Sequence, residues 1–200
     1  MFVKIIIQRN IKNNVINIIQ LGKIFKDVNV KIAEDGEILV KGENVMLGYW
    51  NNKNETEKIL RDNWLYTGDI GEIDKEGYLK ITDRKKDIIV NAGGDNIAPS
   101  KIENLLANYP EIIQSYIYGD KKNYLVALIV VGKELEDRKN KIQFIIDKVN
   151  NDLSIIEKIK KFIIIDDPFT IENEMLTPTM KIRRHQVKKA FGDQLEKLYF

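Results

Sequence analysis

Residues 66–99 read YTGDIGEIDKEGYLKITDRKKDIIVNAGGDNIAP. Tyr66-Thr67-Gly68-Asp69 sets an acid behind a glycine turn, and Asp74-Lys75-Glu76-Gly77 predicts a hairpin with Gly77 at positive φ. Tyr78-Leu79-Lys80-Ile81 then alternates as a strand does. Five charged residues follow, Asp83-Arg84-Lys85-Lys86-Asp87, then a short apolar strand, Ile88-Ile89-Val90, and a glycine-centred loop from Asn91 to Asn96. Each piece alone is ordinary. A Thr-Gly-Asp is a common turn, and a charge run is commonly a solvated link between strands. Their order is what carries information.

Upstream, 28–33 and 37–42 predict two strands around Asp35-Gly36, read as a two-residue hairpin. Gly48-Tyr49-Trp50 forms an aromatic corner. Residues 55–61 predict a short helix with Ile59 and Leu60 inward and Asn54 as its cap. Downstream, Ser100-x-x-Glu103 reads as a capping box for a helix through Asn108, with Pro99 suited to its first turn and Pro110 marking its end. Strands are expected over 112–118, 124–131 and 162–165. Ile142, Ile145, Ile146, Val149, Leu153 and Ile156 recur at helical spacing as one core-facing stripe. Residues 176–184, LTPTMKIRR, predict an exposed turn, and 186–199 a closing amphipathic helix. Alternating strands and helices after residue 87 describe a small α+β domain behind a β-rich piece.

The 200 residues allow one or two domains with a real core. A net charge of +2 in a composition 31% charged gives no one-sided field, so nothing points to nucleic acid. The absence of cysteine excludes disulfides, a thiol nucleophile and thiolate-bound metal, and fits a reducing compartment. One histidine, His185, excludes a histidine-rich metal site. The apolar run at the start is too short to span a bilayer. The expectation is a soluble, cytoplasmic protein, with peripheral membrane contact left open.

From about residue 21 onward, the ordered set YTGD, DRKKD, GGDNIAP and LTPTMKIRR resembles the acyl-CoA synthetase branch of the adenylate-forming (AMP-binding) enzymes, specifically the long-chain fatty acid–CoA ligases. The resemblance implies an α+β fold: a β-rich, barrel-like end of an N-terminal domain over 21–84, a hinge, and a mobile C-terminal domain over 85–200. Residues 1–20, where short strands are expected over 5–7 and 15–19, stay unassigned, and an abnormal or truncated start is expected there. The chemistry implied is activation of a fatty acid by ATP to an acyl-adenylate, with AMP leaving when CoA takes the acyl group. Asp69 would accept the ribose hydroxyls, since a carboxylate takes two donors at once. Arg84 would hold the ribose from the far side of the hinge with fixed donors that lysine lacks. Lys86 matches the pivot, and Gly93-Gly94 the loop that enters for the CoA step, with Asp95 where the family often has lysine or glutamate. Lys181 matches the lysine that bridges the substrate carboxylate and the α-phosphate.

The same resemblance implies a Ser/Thr/Gly-rich phosphate loop and a threonine–glutamate pair for Mg²⁺. This chain's three serines, Ser100, Ser115 and Ser154, sit beside no such loop, and no metal ligand is assigned within it. The expectation is a C-terminal fragment, inactive alone, that works with a missing N-terminal domain or chain. The alternative is a non-catalytic remnant that binds a protein or a nucleotide.

Overall fold

The computed structural model describes residues 7–8 and 19–200, with side chains from residue 22. The unassigned start, with the strands expected over 5–7 and 15–19, lies outside the described residues apart from 7–8 and 19–20. Tertiary contacts divide the chain into two compact units, Met1–Lys86 and Asp87–Phe200.

The first unit is one antiparallel sheet. Its strands are β1 (Ile7–Gln8), β2 (Ile19–Ile24), β3 (Asn29–Ile32) and β4 (Glu37–Lys41), then helix α1 (Lys53–Ile59), β5 (Leu60–Arg61), β6 (Trp64–Ile73) and β7 (Tyr78–Arg84). The spatial order is β1-β2-β7-β6-β4-β3, with β5 on β6. Its core is small: Ile38, Val40 and Leu79, with Val28, Val30, Ile32 and Ile81 packed against them. β6 and β7 approach closely at Gly71, where a Cβ would sit 2.2 Å from the Lys80 carbonyl oxygen.

Three local expectations change here. The Asp35-Gly36 hairpin has a three-residue loop: Gly36 N–H donates to Ala33 O and Ala33 N–H to Glu37 O, both at 2.9 Å, with Gly36 left-handed at φ +84°. Helix α1 is capped by Asn52, whose side chain accepts from Glu55 N–H, and Leu60 and Arg61 leave it for a strand. Thr67-Gly68-Asp69 is not a separate turn but lies within β6, where the pairing register with β4 slips between Glu37 and Leu39.

The second unit comprises β8 (Ile89–Val90), β9 (Asn96–Ile97), α2 (Pro99–Leu106), β10 (Ile112–Tyr118), β11 (Leu125–Val131), α3 (Arg138–Asn151), β12 (Ile159–Ile165) and α4 (Arg184–Glu196). Central strand β11 pairs antiparallel with β10 and parallel with β12, and all seven of its residues are buried. A strand's side chains alternate between faces, so LVALIVV feeds two cores. Leu125, Ala127, Ile129 and Val131 pack with Ile102 and Leu106 of α2 and Ile142, Ile146 and Val149 of α3. Val126, Leu128 and Val130 pack with Phe169, Leu176, Val187 and Leu195 on the opposite face. Ile156 leaves the predicted stripe, since the chain has turned into a 3-10 segment (Ile155–Glu157) and the side chain is exposed. The mixed α+β architecture expected from the alternation of elements is the one observed.

Candidate functional site

Asp69 and Arg84 are brought together. They are facing partners on β6 and β7, and they form an ion pair with Arg84 Nε 2.9 Å from Asp69 Oδ1. The Asp69 side chain is 8% exposed and that of Arg84 45%, so a shielded carboxylate meets a guanidinium that opens to solvent. Strand β7 runs through Arg84, so this arginine stands beside Asp69 in the first unit. The expected far-side position is corrected.

A second charged group sets the same corner, and the sequence reading did not find it. Glu37, buried at the start of β4, accepts Gly68 N–H at 2.8 Å, while Thr67 Oγ1–H donates to Ile38 O at 2.7 Å. Lys85 Nζ closes the group on Glu37 Oε2 at 2.9 Å and on Asp35 Oδ2 at 2.6 Å. The Lys85 ammonium beside Asp35 holds that carboxyl below the usual range. The hydrogen bonds to Asp35 and Glu37 raise the Lys85 pKa in turn. A surface cleft of about 430 Å³ opens at this corner, lined by Glu37, Lys58, Arg61, Tyr66, Thr67 and Lys85. The Arg61 guanidinium lies 4.9 Å from the centre of the Tyr66 ring.

The five-residue charge run is therefore not a free solvated string. Asp83 is buried, Arg84 binds Asp69 and Lys85 is tied back to β4. Lys86 is exposed in a single 3-10 turn (Lys85–Asp87) at the junction of the units.

In the second unit, Gly93 and Gly94 are the tip of the β8–β9 hairpin. Gly94 N–H donates to Asn91 O and Asn91 N–H to Asp95 O, both at 3.1 Å, and Asn91 Oδ1 accepts Asp95 N–H at 2.9 Å. Gly94 is left-handed at φ +87°. The Asp74–Tyr78 turn is built the same way, with Asp74 Oδ1 accepting Tyr78 N–H and Gly77 at φ +82°. So is LTPTMKIRR. Met180 N–H donates to Thr177 O and Thr177 N–H to Lys181 O, both at 2.8 Å, while Thr177 Oγ1 accepts Lys181 N–H at 3.0 Å. With the Ala33–Glu37 turn, four hairpins share one construction: a four-residue turn closed by a backbone hydrogen bond from its last residue, which is left-handed.

Lys181 is the closing residue of the last of these and is exposed. The hairpin's foot is rigid. Leu176 is buried and bridges to Ile182, and Arg184 reaches into the unit just beyond. Arg184 Nη1 binds both oxygens of Glu103, at 2.9 and 3.1 Å, and Nη2–H donates to Ile117 O at 2.9 Å. The guanidinium also lies 4.8 Å from the Tyr116 ring centre, and Glu103 Oε1 accepts Ile117 N–H at 2.9 Å. The expected Ser100-x-x-Glu103 capping box therefore does not form. Ala98 is the cap residue of α2, Ser100 lies inside the first turn, and Glu103 is drawn to Arg184. The only local signal for this clamp was an acid on the inward side of α2. His185 is exposed on α4.

The second unit decides the family. Residues 86–200 match the model of the AMP-binding enzyme C-terminal domain. The chain belongs to that family. Among its relatives is a long-chain-fatty-acid–CoA ligase of Mycobacterium tuberculosis, 36% identical over 92% of this chain and 35% of that protein. Long-chain-fatty-acid–CoA ligase 5 of the mouse is 35% identical over 84% of this chain and 28% of its own length. The chain thus spans about a third of the length of these relatives. Among solved structures of AMP-binding enzymes, it superposes on the A domain of a carboxylic acid reductase from Segniliparus rugosus in complex with AMP and a co-purified carboxylic acid. There the TM-score is 0.77 at 26% identity, over 88% of this chain and 32% of that one. O-succinylbenzoate coenzyme A synthetase of Bacillus subtilis, in complex with AMP, gives 0.68 at 30% identity, over 84% and 35%.

Proposed function

We propose that this chain forms part of an ATP-dependent, AMP-forming ligase that joins long-chain fatty acids to CoA. In the first half-reaction a carboxylate oxygen attacks the α-phosphorus of ATP and pyrophosphate leaves. In the second the CoA thiol, giving up its proton, attacks the acyl carbon and AMP leaves. The reading rests most on one observation. The two residues matched to the ribose, Asp69 and Arg84, lie side by side at 2.9 Å although 15 positions apart in the chain. The Arg84 guanidinium, with five N–H donors, lies against the Asp69 carboxylate, so a diol can be held between acceptor and donor.

Lys181, carried on a short closed hairpin with a buried foot, would aim its ammonium at the carboxylate and α-phosphate as charge develops there. A preorganised cation stabilises that transition state with little reorganisation. The Gly93–Gly94 tip would enter for the CoA step, its backbone bare of side chains at the point of approach. Lys86, exposed at the junction, would be the pivot between the two steps. Magnesium is expected with the ATP. Among the described residues no group of three or more His, Asp or Glu side chains could hold a metal ion, and the roles of Asp69, Arg84, Lys86 and Lys181 need none. No helix among them is long and apolar enough to cross a membrane. The cysteine-free composition supports a cytoplasmic site of action.

The test is a graft. This chain replaces the matching third of the mycobacterial relative, and palmitoyl-CoA formation is followed with ATP and CoA. The proposal expects activity from the graft and none from the 200-residue chain alone. A folded graft that binds ATP but makes neither adenylate nor thioester would contradict it.

A further inference from the structure

The hairpin that carries Lys181 departs from its three siblings at one position. Gly36, Gly77 and Gly94 hold the left-handed place in the others, whereas in this one it is Met180 at φ +61°. A Cβ in that region is strained, and glycine is the residue that avoids the strain. Among the described residues, Asn51, Asp62, Asn63 and Asp137 also have positive φ, but asparagine and aspartate tolerate it. Lys121 and Glu174 share it too, with charged side chains that water solvates. Met180 alone in this set is apolar, and it is 66% exposed. Neither hydration nor burial within its unit offsets the strain.

We propose that Met180 is a specificity-determining residue whose thioether packs along the aliphatic chain of the substrate acid during adenylation. This rests on the role of Lys181 in adenylation. A fatty acid is a charged head followed by methylenes, and the hairpin carries an ammonium and an apolar side chain on adjacent, exposed residues. Methionine suits a moving contact, being unbranched, polarizable and free about three bonds. The class selected is therefore acids with an extended hydrocarbon chain, as against acetate-sized ones.

The test uses the same graft, with acyl-sulfamoyl-adenosine inhibitors standing in for the acyl-adenylate. Met180→Gly removes the side chain and relaxes the backbone, so folding is not at risk, and the melting temperature of the chain should hold or rise. The inhibition constant of the octanoyl compound should weaken about tenfold, as expected for losing one buried apolar side chain of this size. That of the acetyl compound should change by less than about twofold. Met180→Leu should restore most of the octanoyl affinity. Equal changes for both compounds, or none for either, would overturn the proposal. Lys181→Ala in the same graft keeps the two ideas apart: if that variant adenylates normally, the Lys181 assignment fails first.

Discussion

Replacing Arg184 by alanine tests how the lysine hairpin is held. Its guanidinium binds both oxygens of Glu103 and the Ile117 carbonyl, and the two charged side chains are only 17% and 14% exposed. Breaking a buried ion pair by removing one partner costs about 3–5 kcal/mol, because the other charge stays in a dry place. The residual exposure puts Arg184→Ala at the low end, about 3 kcal/mol. For a unit a little over 100 residues long, each kcal/mol shifts the midpoint by about 4 °C, so a drop of about 12 °C is expected. Thermal unfolding of the 200-residue chain, followed by far-UV circular dichroism, reads this directly. Arg184→Lys keeps the charge but not the fork and should recover less than half. Arg184→Met with Glu103→Leu should recover only part of the loss, since the desolvated charges go together but the buried Ile117 N–H and C=O lose their partners. A loss below about 1 kcal/mol for Arg184→Ala would refute the clamp.

Three further outcomes follow from the same geometry. Trypsin should cut first after Lys86, the exposed residue at the junction, because Lys85 is pinned to Asp35 and Glu37; a first cut inside α3 would count against this. Burial pushes the Glu157 carboxyl up, but its hydrogen bonds to Lys101 and Ser154 outweigh this and hold it below the ordinary value. Its contribution to stability is thus present above about pH 4.5 and lost as pH falls through the lowered folded pKa, so Glu157→Gln should flatten the fall in urea midpoint between about pH 5 and 3. Gly94→Leu strains the left-handed tip of the β8–β9 hairpin and fills the space before it. In the graft it should slow acyl transfer to CoA at least about 10²-fold while leaving adenylation within a few-fold, measured as separate half-reactions.

The elements legible in the sequence were those set by short-range rules. Alternation over 78–81, the Asp74–Gly77 turn and the apolar run of β11 each fix local structure without help from afar. Motif order likewise pointed to Asp69 and Arg84 before any distance was known. What stayed hidden lies in contacts between distant residues. Glu103 carried the pattern of a capping box, yet Arg184, 81 positions later, outcompetes the local use. Glu37 read as the first residue of a strand, yet Lys85 and Gly68 make it the hub of the corner beside Asp69. The charge run read as a link because polarity along the chain does not say which charges have partners across a sheet. Met180 looked like one more residue of an exposed turn, and only its left-handed φ sets it apart.

Lys181 is proposed to serve adenylation alone. In the graft, Lys181→Ala is assayed for ATP–pyrophosphate exchange with palmitate, and separately for transfer to CoA from pre-formed palmitoyl-adenylate. Exchange should fall on the order of 10²–10³-fold, the loss that follows removal of one group stabilising transition-state charge. Transfer should stay within a few-fold, because an interaction absent from that transition state does not affect its rate. Equal damage to both half-reactions would contradict the account.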